Sequence, residues 1–273
     1  MTATTSTASG GEPLLSLHGV TKRFGAVQAL GGVDFDVRAG EVVGLVGDNG
    51  AGKSTLVKVM SGIYSADEGE YRWEGVAQRV GGASDATALG VATVYQDLAL
   101  CDNLDVVGNL FLGREERASG LGRLLRALDE ATMEKRAAEL LQTLTVRLPN
   151  VRQEVGTLSG GQRQSVAIVR SLIGDARVVL LDEPTAALGV AQTAQVLALI
   201  KRLREQGLGV VVISHNLADV FEVVDRIFVL RLGRKAGVYE VGETSQEEIV
   251  GAITGAEFGH DGGTERTTGE TTR

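Results

Sequence analysis

Apolar positions cluster into short solid blocks towards both ends of the chain and are spaced out between them. Val42–Val46, Val178–Asp182 and Val210–Ser214 are nearly continuous apolar runs of strand length, the pattern of strands buried on both faces. Leu14–Val20, Val33–Val37, Glu70–Trp73, Val91–Tyr95 and Ile227–Leu232 also read as strands. One helix is predicted from Lys53 to about Ile63. Leu104–Leu112 and Leu128–Leu144 carry apolar residues three and four apart and predict helices, with Glu115–Gly120 as a connecting loop. Further helices are expected after Ser159, over Val190–Gln206 and over Asn216–Val224.

The chain thus divides into a strand-rich part from Leu14 to Gln96, a helical part from Leu98 to about Val151, and an alternating part from Ser159 onward. Alternation of this kind predicts a mostly parallel sheet covered by helices on both faces, an α/β architecture. No internal repeat is visible. Residues 1–12 and 259–273 are small and polar, read as disordered tails, and leave a domain over 13–258.

Composition narrows the function classes. The chain has 273 residues, 43% hydrophobic and 23% charged, enough for a substantial core. No stretch approaches the roughly 18 consecutive apolar residues of a spanning helix, so any membrane role is expected to come through a partner. The net charge of −8 argues against a general nucleic-acid binder. The N-terminus has neither a basic start nor an apolar core, which excludes a signal peptide as the reading of these residues. The lone Cys101 excludes an internal disulfide, fits a reducing compartment, and reads as a small half-buried apolar residue.

Four motifs carry the chemistry. Gly47-Asp48-Asn49-Gly50-Ala51-Gly52-Lys53-Ser54 has the G-x-x-x-x-G-K-[ST] form of a phosphate-cradling loop. It follows the strand Val42–Val46 and leads through Thr55 into a helix, the context the motif requires. Glycines let backbone N–H groups close on phosphates, Lys53 neutralises their charge, and Ser54 offers a hydroxyl to Mg²⁺. Val178–Leu181 ends in Asp182 and Glu183. A buried strand delivers Asp182 beside the phosphates to hold Mg²⁺, while Glu183 can polarise an attacking water. By itself an apolar run before Asp-Glu is common; its weight comes from the phosphate loop.

Leu158-Ser159-Gly160-Gly161-Gln162 precedes an amphipathic helix, with Ser159 a natural cap and two glycines exposing N–H groups. Alone it would pass for an ordinary capped helix. Gln96, after the strand Val91–Tyr95, can reach Mg²⁺ and water. His215, closing the strand that starts at Val210, can hydrogen-bond a γ-phosphate. Phe24 reads as an adenine-stacking ring, with core packing as the alternative. His18 and His260 read as bland.

Together these residues resemble the nucleotide-binding subunit of an ATP-binding cassette transporter, over about Leu14 to Gly255. The resemblance implies a P-loop NTPase cassette: a mostly parallel RecA-like core sheet, an antiparallel β subdomain, and a helical signature subdomain over about 97–175. It implies that Gly47–Ser54 is the Walker A loop, Gln96 the Q-loop, Leu158–Gln162 the signature, Val178–Asp182 the Walker B strand and His215 the switch histidine. ATP and Mg²⁺ are the implied ligands. Two cassettes, expected as a homodimer, would close head to tail, Ser159-Gly160-Gly161 of one meeting the γ-phosphate held by the other. The helical lobe would dock a transmembrane permease near Gln96, at the cytoplasmic face of the membrane.

Asp182–Val190, Ile213–Asn216 and Asn109–Glu115 are similar to the sugar-import group of cassettes. That similarity implies ATP-driven uptake of a monosaccharide, with an extracytoplasmic sugar-binding protein acting through the permease. Phe24 stands where Tyr is commoner, and Gly189 where many cassettes carry Asp; both departures recur in the sugar group. The rivals are a cassette for another solute or an exporter, and a soluble cassette acting on the ribosome or nucleic acid. The last usually carries two cassettes, a coiled coil or zinc-binding cysteines, none of which is present.

Overall fold

The computed structural model describes residues 11–118 and 127–256. The readings placed on residues 1–10, on 257–273 (His260 among them), and on Ser119 and Gly120 lie outside the described residues.

The chain begins as an antiparallel sheet. β1 (Leu15–Phe24) pairs with β2 (Val27–Val37) and with β4 (Glu68–Trp73), and β5 (Val76–Gln78) closes the edge. β1 runs past Val20 through polar Thr21-Lys22-Arg23 because its pairing with β2 continues there, across several register irregularities. The second sheet holds β3 (Val42–Val46), β6 (Val91–Val94), β7 (Val178–Asp182), β8 (Gly209–Ile213), β9 (Arg226–Arg231) and β10 (Arg234–Glu240). Their spatial order is β10-β9-β3-β8-β7-β6, all neighbours parallel except the β9–β10 hairpin.

Alternate residues of the parallel strands face two different cores, which is why the runs are apolar throughout. Val42, Val179, Leu181, Val210 and Val212 pack with the helical lobe. Val43, Leu45, Val178, Leu180, Val211 and Ile213 pack with the antiparallel sheet and with α1 (Lys53–Met60). The two sheets are also tied by charge. Arg226 on β9, only 6% exposed, donates to Glu41 at 2.5 Å and to Asp36 on β2 at 2.9 Å.

Helix limits follow local signals. α1 stops at Met60, short of Ile63, since Gly62 adopts φ 73 and turns the chain. α3 (Val106–Phe111) is trimmed at its start by Asp105, whose carboxylate accepts from the Gly108 N–H, and α4 (Glu130–Thr143) by Asp129, which accepts from Thr132. α5 (Gly160–Ser171), α6 (Val190–Glu205) and α7 (Leu217–Val223) stand where helices are expected. Among the strands and α-helices of the described residues, four escape the apolar pattern: β5, β10, α2 (Ala83–Leu89) and α8 (Gln246–Thr254). No residue of β5 or β10 is buried, α2 buries Ala86 alone, and α8 only Ile249 and Gly251, so none carries a strong periodic signal. Among the described residues no helix is long and apolar enough to cross a membrane.

Candidate nucleotide site

The site gathers at the carboxyl ends of β3, β7 and β8, adjacent parallel strands whose tips form the crevice where α/β sheets take ligands. From β3 the chain enters Gly47 at φ 154, where any Cβ would collide with the Leu230 carbonyl oxygen. Gly52, at φ 104, allows no side chain either; a Cβ there would lie 2.6 Å from the Ala29 oxygen. The loop is therefore wedged between β9 and β2, and Gly233 N–H donates to Ala51 O at 2.9 Å to hold it. Asp48 caps the Asn49 N–H at 2.7 Å, and Gly50 stands at φ 79 with open space around it. Lys53 folds back over the loop, its ammonium donating to Gly47 O at 2.7 Å and Asp48 O at 3.0 Å. Ser54 is exposed and Thr55 half-buried.

The charges here perturb one another. Burial lowers the pKa of Lys53, partly offset by Glu183, Asp48 and Asp182. Burial raises that of Asp182, reinforced by Glu183 and opposed by Lys53 and Lys58. A half-buried carboxylate held above its ordinary range is one that gains by taking a cation. Asp182, the Ser54 hydroxyl and the Gln96 amide offer oxygen donors, and no group of three or more His, Cys, Asp or Glu is arranged for a metal among the described residues. That sparse, all-oxygen set suits Mg²⁺, which keeps waters and takes phosphate oxygens as its remaining ligands.

Glu183 leaves β7 in a left-handed backbone conformation, φ 51, with its N–H donating to Ile213 O at 2.9 Å. Its carboxylate Oε2 lies 2.9 Å from His215 Nδ1. Gln96 is exposed in a bend two residues past β6. Phe24, 44% exposed at the end of β1, packs edge-on against Tyr64 at 5.2 Å, with the Lys22 ammonium 5.8 Å from its ring. Tyr64 is invisible to sequence reasoning; it sits beyond α1 in no periodic run, and only the fold brings it to Phe24.

Ser159 caps α5 in a reciprocal capping box with Gln162. Gly161 is buried against Gln192, whose Cβ leaves no room for a side chain, and Gly160 faces Leu188. Ser159 and Gln162 line a cavity of about 400 Å³ with Gln192 and Arg202 that includes no residue of Gly47–Ser54. Among the described residues no hydrogen bond joins this motif to the phosphate loop. A second, larger groove of about 690 Å³ lies between β6 and the helical lobe, lined by Tyr95, Asp97, Leu98, Leu110, Arg114 and Arg170. Cys101 is half-buried.

Fold and site together define a P-loop ATPase of the cassette type. The chain belongs to the ABC transporter family, whose family model matches residues 30–186. It is 47% identical to the fructose import ATP-binding protein FrcA of Rhizobium meliloti, over 90% of this chain and 95% of that one. It is 43% identical to the xylose/arabinose import ATP-binding protein XylG of Sulfolobus acidocaldarius, over 90% and 96%. Among solved structures it resembles a nucleotide-free ATP-binding cassette of an ABC transporter, with TM-score 0.73 and 26% identity over 89% of this chain and 95% of that one. It also resembles a dimeric cassette in a post-hydrolysis state bound to ADP and Pi, with TM-score 0.67 and 27% identity over 83% and 98%.

Proposed function

We propose that this chain is the ATP-binding and hydrolysing subunit of an importer that carries a sugar, most simply a monosaccharide, into the cell. The observation that carries the hydrolytic part is the 2.9 Å contact between Glu183 and His215 at the tip of the strand that ends in Asp182. The sugar part rests on the relatives named for fructose and for xylose/arabinose import, which align over nearly their full length.

In this reading the N–H groups of Gly47–Ser54 and the Lys53 ammonium hold the β- and γ-phosphates, exchanging Lys53's present carbonyl partners for phosphate oxygens. Phe24 takes the adenine. Ser54, Asp182 and Gln96 would hold Mg²⁺, which supplies charge neutralisation on the phosphates. Glu183 orients a water and accepts its proton as the water oxygen bonds to the γ-phosphorus and the bond to the bridging oxygen breaks, giving ADP and inorganic phosphate. His215 donates towards the γ-phosphate and is oriented by Glu183. The separation of Ser159–Gly161 from the phosphate loop is accounted for by a second cassette, most simply an identical copy, whose signature completes each pocket. The groove beside Gln96 is the docking surface for a cytoplasmic segment of a permease, fed by an extracytoplasmic sugar-binding protein.

The test is ATP hydrolysis by the cassette assembled with its permease and binding protein, measured across a panel of sugars. Stimulation by one monosaccharide is expected. Hydrolysis indifferent to every sugar but stimulated by another solute would remove the sugar assignment and leave the ATPase.

A further inference from the structure

Two loops leave adjacent strands at the head of the sheet: Glu183–Gly189 after β7, and Ser214–Asn216 after β8. The first holds two non-glycine residues in left-handed backbone, Glu183 at φ 51 and Ala187 at φ 58. Such conformations persist only where the surroundings over-determine them. The second presents His215 with its side chain 76% exposed, so packing does little to fix the imidazole. Yet the two loops must deliver Glu183 and His215 within hydrogen-bonding distance of each other.

Thr185, two residues after Glu183, is 8% exposed, and its hydroxyl donates to Asp219 Oδ2 at 2.7 Å. Asp219 lies in the first turn of α7, which starts directly after His215-Asn216. The lead-in from His215 to that turn is itself fixed. Asn216 caps α7 by accepting from Ala218 N–H at 3.1 Å, and its own N–H donates to Ser214 Oγ at 3.1 Å. Thr185–Asp219 is the one side-chain hydrogen bond between the two segments among the described residues, beside the 2.9 Å Glu183–His215 contact.

We propose that Thr185 and Asp219 are a positioning pair, a strut that sets the separation of the Glu183 and His215 loops and so holds the carboxylate in line with the reacting water. This rests on the reading of Glu183 as the proton acceptor. Without the strut the strained loop can relax, and small misplacements of a reacting group are costly in rate. A competing account gives Asp219 only the general benefit of a negative charge at a helix start. The two differ in their demands: the strut needs a hydroxyl and an acceptor, the helix start needs a charge.

The experiment compares the full chain with Thr185→Val, Thr185→Ser, Asp219→Asn, Asp219→Ala and Glu183→Gln, measuring steady-state Mg-ATP hydrolysis, affinity for a fluorescent ATP analogue, and thermal midpoint. Thr185→Val and Asp219→Ala are expected to lose about tenfold in kcat with affinity within about twofold. Thr185→Ser and Asp219→Asn, which keep donor and acceptor, are expected to stay near the unmodified rate. A double-mutant cycle should show the two losses failing to add. Asp219→Ala serves where Thr185→Val does not fold. Full turnover in both Thr185→Val and Asp219→Ala, or an Asp219→Asn as slow as Asp219→Ala, overturns the strut. If Glu183→Gln is inactive while the strut variants are normal, the positioning role alone fails. If Glu183→Gln turns over normally, the hydrolytic reading fails and takes the strut with it.

Discussion

His215 Nδ1 stands 2.9 Å from Glu183 Oε2, one partner 76% exposed and the other 17%. The carboxylate is the anchor and the imidazole is the arm, since only Glu183 is enclosed by the fold. The contact joins residues that leave neighbouring parallel strands, with Asp182 paired to Ile213 just below it.

Glu183→Gln keeps the shape and a hydrogen-bond acceptor but removes the proposed base. ATP affinity is expected to stay within about twofold, while turnover falls by at least about a hundredfold. Nucleotide titration and phosphate release measure the two separately; steady-state hydrolysis near the unmodified rate would take Glu183 out of its role.

Asp182 offers a pH test on the nucleotide-free protein. Burial, then Glu183, raises its folded pKa above the ordinary aspartate value of 3.8. Its contribution to stability is therefore full below the unfolded pKa and is lost as pH rises through the folded value. At pH 7–8 the ionised carboxylate is a burden, and the permanently neutral Asp182→Asn should melt about 1–3 °C higher. The two melting curves should converge as pH falls into the carboxylate range. A gap that widens on acidification would contradict the assignment.

The phosphate loop predicts two unequal glycine substitutions. Gly47→Ala drives a methyl into the Leu230 carbonyl oxygen and is expected to cost about 2–4 kcal/mol. Gly50 is at φ 79, and a methyl added there would meet nothing within 4 Å, so Gly50→Ala carries backbone strain alone, about 1–2 kcal/mol. Urea unfolding of both should rank them in that order.

Asn109 supports the helical lobe. It is fully buried, accepts from Cys101 N–H at 2.8 Å, and donates towards the carbonyls of Cys101, Leu104 and Asp105. Asn109→Ala orphans the Cys101 N–H, while the carbonyls of Cys101, Leu104 and Asp105 keep backbone donors in Leu104, Val155 and residue 109, and should cost about 1–3 kcal/mol. Hydrogen exchange is expected to rise first over Cys101–Asp105.

Legibility followed burial. The limits of β3 and β7 are those expected, because strands covered on both faces are apolar throughout and end sharply at Gly47 and after Asp182. The start of α1 at Lys53 is equally plain from the glycine-lysine-hydroxyl pattern. β10 and α8 are not, since their residues face solvent more than core. Tyr64, Thr185 and Asp219 belong to no motif with a spacing rule, and their partners lie far along the chain.

The order of residues alone marked the side chains proposed to carry the chemistry: a phosphate loop between strand and helix, carboxylates at the tip of an apolar strand, a capped glycine pair. Those follow from short-range rules of turn geometry, capping and burial. Tertiary structure alone decided the strand order β3-β8-β7, which brings Lys53, Asp182, Glu183 and His215 together and leaves Ser159 elsewhere. Strand order is settled by the packing of two cores against one sheet, and no local pattern encodes which strands become neighbours.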